Sequence, residues 1–275
     1  FWASLNKKSK DIENKIDILE RKRTGSYYTD IELTDVMMNE LIEQLRKTNS
    51  SKKFCDYRFL EPCIGTGNFV FSYIKAIAKT GLSKEDAKCM LNNIYVADIN
   101  KEALERYKES LREIAWLLWG IKLTNEYFEK HIGTGLLIDI TKRELNYISI
   151  NEVFQGDIIN GGFDIVATNP PYKNLKAERG QYKSDDEYDK DKDKYSVISK
   201  IVKKNFKYSA DGVLNLYKLF VEEIIDKYAN ENAFISLLIP ASIMSDKTSM
   251  KLRTHILEDN KLISVKVIEE NNRYI

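Results

Sequence analysis

From residue 57 onward, short apolar segments alternate with longer segments of helical periodicity, and this alternation constrains the fold more than any other feature. Strands are predicted at 57–61, 94–98, 151–155, 163–167, 233–239 and 261–268, and helices between most of them at 68–80, 84–91, 100–119 and 215–229. Repeated strand–helix–strand units build parallel sheets covered on both faces. We therefore predict an α/β fold with a doubly wound, mainly parallel sheet, which binds its ligand at the carboxyl ends of the strands.

Charge and residue usage exclude several classes of protein. The 43 Lys and Arg residues nearly balance the 42 Asp and Glu residues, so a uniformly basic nucleic-acid coat is excluded, although a local basic face is not. No apolar run approaches the roughly 18 residues that span a bilayer, and we expect no membrane association. The three cysteines form no CxxC pair and there are two histidines, so the spacing predicts a reducing compartment and no metal site.

The N-terminal region divides into two parts. Residues 1–24 carry a net charge of +3, and their apolar residues recur at helical spacing, so we predict a short helical extension or linker there. The main domain is predicted to cover 25–275. Within it, Thr29 and Glu32 have the spacing of a capping box, which would open a helix with an apolar face.

A charged segment at 173–207 stands apart from the rest, with eleven Lys or Arg residues against seven Asp or Glu residues. We predict that its acidic stretch is a solvated loop. The lysines at its end have the spacing of a helical basic face that could lie against DNA phosphates; they are Lys200, Lys203, Lys204 and Lys207.

Three short motifs follow predicted strands. The turn Glu61–Gly67 joins a strand to a helix, and its glycines would allow close approach of a cofactor, or would only form a tight turn. Asp98, after the second strand, could accept hydrogen bonds from a ribose diol or cap the following helix. Asp157, after the third, could accept a hydrogen bond from a purine amine or lie in a turn.

The fourth motif is the most specific. An apolar strand leads directly into Asn169-Pro170-Pro171-Tyr172. Two consecutive prolines end the strand and fix the backbone, which would hold the Asn169 amide and the Pro170 carbonyl in a preset geometry. Two convergent acceptors suit an NH₂ group, and Tyr172 offers a flat stacking face. The motif therefore predicts a site for a planar amine.

Together these motifs resemble those of the class I S-adenosylmethionine-dependent methyltransferases that modify the exocyclic (N6) amine of adenine in DNA. The motif order, with Gly25–Thr29 before the glycine turn and Asn169–Tyr172 after it, is similar to the γ arrangement of type II and single-chain, type IIG-like restriction–modification enzymes with an Eco57I-like methyltransferase domain. The resemblance covers about residues 24–268. It implies a Rossmann-like sheet of the seven-stranded type. It also implies that the protein is located in the cytoplasm of a bacterium or archaeon.

The resemblance also implies roles for individual residues. The methionine end of S-adenosyl-L-methionine would be surrounded by Tyr28, Thr29, Glu61, Gly65 and Gly67. Asp98 would accept the ribose hydroxyls, Asp157 and Ile158 would hold the adenine ring, and Ile99 and Asn169 would also contact the cofactor. Asn169, Pro170 and Tyr172 would be the catalytic residues that hold an adenine flipped out of double-stranded DNA. No target-recognition domain is found in the chain, and an upstream nuclease domain of the same polypeptide is possible.

Parts of the sequence are also compatible with three other functions. Methylation of carbon-5 of cytosine uses a Pro-Cys nucleophile, but Pro62-Cys63 lies in the glycine turn and not after the fourth strand, so we reject it. A protein methyltransferase acting on a glutamine amide stays open, because the Asn169 motif suits any planar NH₂ group. A catalytically silent cofactor-binding scaffold in a DNA-binding complex also stays open. The nature of the methylated product would distinguish them.

Overall fold

The computed structural model describes Trp2 and residues 29–48, 51–135, 153–154 and 162–268 of the 275-residue chain. Apart from Trp2, the extension predicted at 1–24 lies outside the described residues. Tyr28, Asp157 and Ile158 also lie outside them. Among the described helices, none combines the length and the apolar character that crossing a bilayer requires.

Helices and parallel strands alternate along the described chain. The helices are α1 (Ile31–Thr48), α2 (Asn68–Ala78), α3 (Lys84–Leu91), α4 (Lys101–Trp119), α5 (Asn125–His131), α6 (Asp185–Asn205), α7 (Leu216–Glu223) and α8 (Met250–Glu258). The strands are β1 (Phe59–Glu61), β2 (Ile94–Ala97), β3 (Ile132–Gly133), β4 (Phe163–Thr168) and β5 (Ala229–Leu237). A π-helical turn at Ile224–Tyr228 extends α7 to the start of β5.

The five strands form one parallel sheet in the order β3-β2-β1-β4-β5. From β1 the chain moves outward through β2 to β3, and then returns to the other side of β1 to form β4 and β5. The strand order therefore reverses between β1 and β4. This confirms the doubly wound α/β prediction, and it places the switch point, where such sheets bind ligands, between two central strands.

Alternate side chains of the strands point into two separate cores. Phe59 of β1 lies in the core that also contains apolar residues of α1 to α5, whereas its neighbour Leu60 lies in the core with α6 and α7. Ile94 and Tyr95 of β2 divide in the same way. Both faces of the sheet are thus covered by helices, which explains why β1, β2 and β4 consist mostly of apolar residues.

Two strand predictions need correction, and one strand was not predicted. The strand predicted at 261–268 is wrong: the segment pairs with no strand of the described chain, and Val265 and Val267 are exposed. An alternating sequence forms a strand only when a neighbouring strand supplies hydrogen bonds and packing. Of the strand predicted at 151–155, only Val153 and Phe154 are described, and neither lies in a strand. The outer position beside β2 belongs to β3, whose two residues are too few to produce a periodic pattern.

The charged segment predicted as a solvated loop is a helix. Ser184 caps α6 by accepting a hydrogen bond from the backbone N–H of Glu187, and acidic residues occupy the first turn. Lys203 and Lys204 lie in the last turn, so both ends complement the helix dipole. The predicted basic face is correct for three of its lysines, but Lys207 lies beyond the end of the helix at Asn205.

The capping box predicted at Thr29 and Glu32 is also wrong. The backbone N–H of Glu32 donates a hydrogen bond to the Asp30 carboxylate at 2.9 Å, so Asp30, and not Thr29, caps the N-terminus of α1. The buried face of the helix includes Thr34, Met38 and Leu45. Thr29 therefore does not cap α1, and it contacts the loop after β4 and the first residue of α2.

Candidate functional site

The loops that follow β1, β2 and β4 meet at the switch point of the sheet. After β1, the glycine turn closes through a hydrogen bond from the Gly67 N–H to the Ile64 carbonyl, at 2.7 Å. The Ile64 N–H donates to the carbonyl of Ala97, the last residue of β2, at 3.0 Å. The backbone of the turn is thereby fixed to the neighbouring strand before any side chain contributes.

Glycine is required at the second position of this turn. Gly67 has a φ of +82°, in the left-handed region that side chains disfavour, and directly precedes α2. A Cβ atom there would lie 2.9 Å from the ring of Phe71 and 3.0 Å from that of Tyr107. The turn therefore brings bare backbone against the first turn of α2, at a helix N-terminus that favours negative charge.

Asp98 joins the loops after β1 and β2. One carboxylate oxygen accepts a hydrogen bond from the Gly65 N–H at 2.9 Å, and the other accepts one from the Asn100 N–H at 2.8 Å. Burial raises the pKa of Asp98 above its usual value, and these N–H donors oppose the shift. Ile99 follows and is 41% exposed. The side chain of Asp98 is thus held in one orientation at the edge of the glycine turn.

Glu61 ends β1 and is almost completely buried, with 1% of its surface exposed. One carboxylate oxygen accepts a hydrogen bond from the Val70 N–H, at 3.3 Å, in the first turn of α2. Burial raises the pKa of Glu61 well above the usual value, and the charge of nearby Asp98 adds to the shift. The side chain therefore takes up a proton more readily in the folded chain than in the unfolded one.

The raised pKa of Glu61 predicts a pH dependence of stability. As pH rises above about 4.5, the unfolded chain ionises Glu61 first, so the free energy of unfolding falls with pH until the folded pKa is passed. We expect Glu61→Gln, which keeps an acceptor for Val70, to flatten this decline above about pH 5 in urea unfolding curves. Glu126→Gln is the control, because Lys130 lowers the pKa of Glu126 and its titration falls below that range. An unchanged slope in Glu61→Gln would contradict the prediction.

The Asn169 motif begins where β4 ends. The Asn169 side chain donates from Nδ2 to the Thr29 hydroxyl at 2.9 Å, and the carbonyl of Thr29 accepts a hydrogen bond from the Asn68 side chain at 2.7 Å. Because the amide nitrogen of Asn169 is directed to Thr29, its amide oxygen is directed away from it. Thr29 therefore connects the loop after β4 with the first residue of α2.

The rest of the motif is held equally firmly. Pro170 is buried, and the hydroxyl of Tyr172 donates to the carbonyl of Leu238, just past the end of β5, at 2.9 Å. The ring of Tyr172 also meets the ring of Tyr217 edge-on, with centroids 6.0 Å apart. Burial raises the pKa of Tyr172 above its usual range, so the phenol is neutral. These contacts fix the plane of the Tyr172 ring.

The structure brings most of the predicted and described site residues together, but the lysines predicted to contact DNA lie apart from them. Glu61, Gly65, Gly67 and Asp98 lie around the glycine turn, and Thr29 connects this region with Asn169. Lys200, Lys203 and Lys204 lie exposed on α6, and Lys207 donates a hydrogen bond to the hydroxyl of Tyr208. No described contact joins these lysines to the glycine turn or to Asn169.

Two residues of this region are missing from the sequence predictions. Asn68 was overlooked because only the glycines of its turn fit a pattern, although a polar residue at the first position of a helix is itself a signal. Tyr217 could not be found from the sequence, because it lies 45 residues after Tyr172 and the two rings meet only through the packing of α7.

Solved structures share this fold at low sequence identity. The chain is similar to a DrdV–DNA complex, with a TM-score of 0.60 and 15% identity over 91% of this chain and 24% of that one. It is also similar to LlaBIII, an ATP-dependent Type ISP restriction-modification enzyme bound to DNA, with a TM-score of 0.57 and 15% identity over 83% of this chain and 15% of that one. The chain thus spans less than a quarter of the length of either protein. These similarities show the shared fold.

Sequence comparison gives the family. No curated protein matches the chain significantly. The model of the Eco57I restriction-modification methylase family matches residues 92–273, well over half of the chain, from β2 through Asn169–Tyr172 to beyond α8. The chain therefore belongs to the Eco57I restriction-modification methylase family.

Proposed function

We propose that this chain is the catalytic methyltransferase domain, over residues 25–275, of a restriction–modification enzyme, and that it methylates the exocyclic amine of adenine in DNA with S-adenosylmethionine. The observation that carries this proposal is the position of Asn169–Tyr172. The motif follows β4 at the switch point of the sheet, and Thr29 connects it to the first turn of α2. An amine-binding motif thus stands beside a glycine turn of the kind that accommodates a nucleoside cofactor.

The residues of the glycine turn fit S-adenosylmethionine. Gly67 has no side chain, so only bare backbone lies at the start of α2. A Cβ atom at this position would contact the ring of Phe71. Asp98 keeps lone pairs on both carboxylate oxygens after accepting one N–H bond on each, so it would hold the ribose hydroxyls. The ionisable side chain of Glu61 would lie under the methionine end of the cofactor.

The chemistry depends mainly on positioning. S-adenosylmethionine supplies an electrophilic methyl group when it is bound. The exocyclic amine of adenine is a weak nucleophile, because its lone pair is delocalised into the ring. The side-chain oxygen of Asn169 and the carbonyl oxygen of Pro170 would each accept a hydrogen bond from one N–H group of this amine. These hydrogen bonds favour a more tetrahedral nitrogen, whose lone pair is less delocalised into the ring. The fixed ring of Tyr172 would stack on the base, which must leave the duplex to reach the site.

Other features support DNA as the substrate and argue against the cytosine reaction. The DrdV and LlaBIII structures are complexes with DNA, and the family is one of restriction-modification methylases. Burial raises the pKa of the Cys63 thiol, which disfavours the thiolate that attack on carbon-6 of cytosine requires. Target recognition and any nuclease activity would then belong to other parts of a longer polypeptide.

Two measurements test this proposal. Calorimetric titration should show that S-adenosylmethionine binds the chain and that Asp98→Ala abolishes binding. Transfer of radioactive methyl groups to duplex DNA should then yield N6-methyladenine with the full-length parent protein. Labelled glutamine in protein would favour the protein methyltransferase instead. Cofactor binding without any methyl transfer would favour the silent scaffold, and no binding by a folded chain would refute the proposal.

The basic face of α6 gives a separate prediction about DNA binding. Lys200 and Lys204 are exposed on the side of α6 opposite its buried residues Ile198 and Val202. We expect the double variant Lys200→Glu/Lys204→Glu to weaken binding of a labelled duplex. The slope of the logarithm of the binding constant against the logarithm of the salt concentration should become shallower by about the amount that two phosphate contacts contribute. Fluorescence anisotropy at several salt concentrations measures both quantities.

The control is the double variant Lys88→Glu/Lys130→Glu on α3 and α5, which pack against the opposite face of the sheet. Both lysines are exposed, so this variant makes the same change in net charge away from α6. Equal loss of DNA binding in both variants would mean that the effect comes from net charge and not from α6.

A further inference from the structure

Two of the three cysteines approach each other at the opposite end of the sheet from the proposed active site. Cys55 lies in a short 3₁₀ helix that precedes β1, and Cys89 lies on α3, which precedes β2. Their sulfur atoms and a carboxylate oxygen of Asp56 all lie within 4.8 Å of one another. The sequence spacing gives no metal motif, because 34 residues separate the two cysteines.

The distances within this group match a tetrahedral metal site. The Oδ1 atom of Asp56 lies 3.6 Å from the sulfur of Cys55 and 3.7 Å from the sulfur of Cys89. A zinc ion bound about 2.3 Å from a sulfur and about 2.1 Å from an oxygen, at the tetrahedral angle, holds these two atoms about 3.6 Å apart. Both sulfurs converge on the same oxygen and lie within 4.8 Å of each other, as three ligands of one ion would.

The surroundings suit a cation bound by thiolates. The side chain of Asn93 donates to the carbonyl of Cys55 at 2.8 Å and approaches the sulfur of Cys89 at 3.9 Å. Such N–H donors commonly orient metal ligands. A carboxylate oxygen of Asp86 lies 3.6 Å from the sulfur of Cys55, and Lys53 pairs with the same oxygen at 3.3 Å, so these two outer charges balance each other. Cys55 is buried whereas Asp56 is exposed, so water can reach the outer side of the group.

We propose that Cys55, Asp56 and Cys89 bind one Zn²⁺ ion, with a water molecule as the fourth ligand. The ion would connect the segment before β1 to the helix before β2. It would stabilise the amino-terminal edge of the sheet and take no part in methyl transfer. Two thiolates and one carboxylate favour zinc over magnesium or calcium, which prefer oxygen ligands alone.

The test uses the complete chain, stripped of metal with a chelator and kept reduced. Titration with Co²⁺ should give one tightly bound ion per chain, with the absorption bands of thiolate-ligated tetrahedral cobalt, and Zn²⁺ should displace it and raise the melting temperature. Cys89→Ser should weaken binding by more than about a hundredfold, beyond the usual effect of losing an outer-shell partner. Asp56→Asn should also weaken metal binding. Because the side chain of Asp56 is exposed, misfolding would not explain this loss.

The matched control is Cys63→Ser, which removes the third thiol but leaves the group intact. It should bind Co²⁺ with the same stoichiometry and the same absorption bands as the unaltered chain. Absence of stoichiometric binding, or equal binding by Cys89→Ser, would overturn the proposal. So would a stable Cys55–Cys89 disulfide, recognised in unreduced protein by thiol titration that finds one free cysteine.

Discussion

Asn169→Ala is expected to lower the rate of methyl transfer by about a hundredfold to a thousandfold, while the dissociation constant for S-adenosylmethionine changes less than tenfold. The amide oxygen of Asn169 is fixed in direction by the hydrogen bond from Nδ2 to Thr29. Loss of one preorganised group aimed at the reacting atom costs about that much in other enzymes. Single-turnover transfer of labelled methyl groups to duplex DNA, with calorimetric titration of the cofactor, measures both quantities.

Two further variants separate chemistry from structure. Asn169→Asp keeps an acceptor, and the Thr29 hydroxyl can donate to the new carboxylate, so this variant should retain more activity than the alanine variant. Thr29→Val removes the hydrogen bond but keeps the shape, and as a positioning change it should lower kcat more than it raises KM. If Asn169→Ala transferred methyl groups at the original rate, the proposed role of the motif would be wrong.

Gly67→Ala is expected to cost the chain more than about 2 kcal/mol of stability and to weaken cofactor binding by more than tenfold. A side chain at a φ of +82° is strained by about 1–2 kcal/mol. The new methyl group would also lie 2.9 Å from the ring of Phe71, and overpacking of this kind adds about 1–3 kcal/mol. Urea unfolding and cofactor titration measure the two effects.

The matched control is Gly81→Ala. Gly81 has a similar φ of +77°, but nothing lies within 4 Å of the position that its Cβ would occupy. This variant should therefore suffer the backbone strain alone and bind the cofactor normally. Equal destabilisation in both variants would show that the contact with Phe71 does not matter.

The sequence pattern predicted β1, β2 and β4, because these strands are buried on both faces and consist mostly of apolar residues, but it did not predict the two-residue β3. The pattern failed for segments whose secondary structure depends on tertiary contacts. Residues 261–268 have a strand-like alternation, yet four of their five apolar side chains lie exposed. Conversely, α6 looked too charged to be ordered. It is stabilised by its cap at Ser184 and by acids and lysines placed at the correct ends of the helix dipole.

The candidate site was predictable to the extent that its residues follow strands. Asp98 and Asn169 were found because parallel strands bring their carboxyl ends to one edge. The contacts of Thr29 were not predictable, since it was assigned to a capping box and its partner Asn169 is 140 residues away. The Cys55–Asp56–Cys89 group was missed for the same reason, because its members meet only through the packing of α3.

The bridge formed by Thr29 has a consequence for how the protein loses activity. Thr29 lies two residues before α1, and four of the five strands, β1 to β4, separate it from Asn169 along the chain. Contacts between such distant residues form late in folding, and a helix packed on a sheet can open locally at lower free energy than the sheet itself unfolds. Detachment of α1 would release the amide of Asn169 while the strands stay paired. On gradual heating, catalysis should therefore fail before the circular dichroism of the sheet changes, and the lost activity should return on cooling.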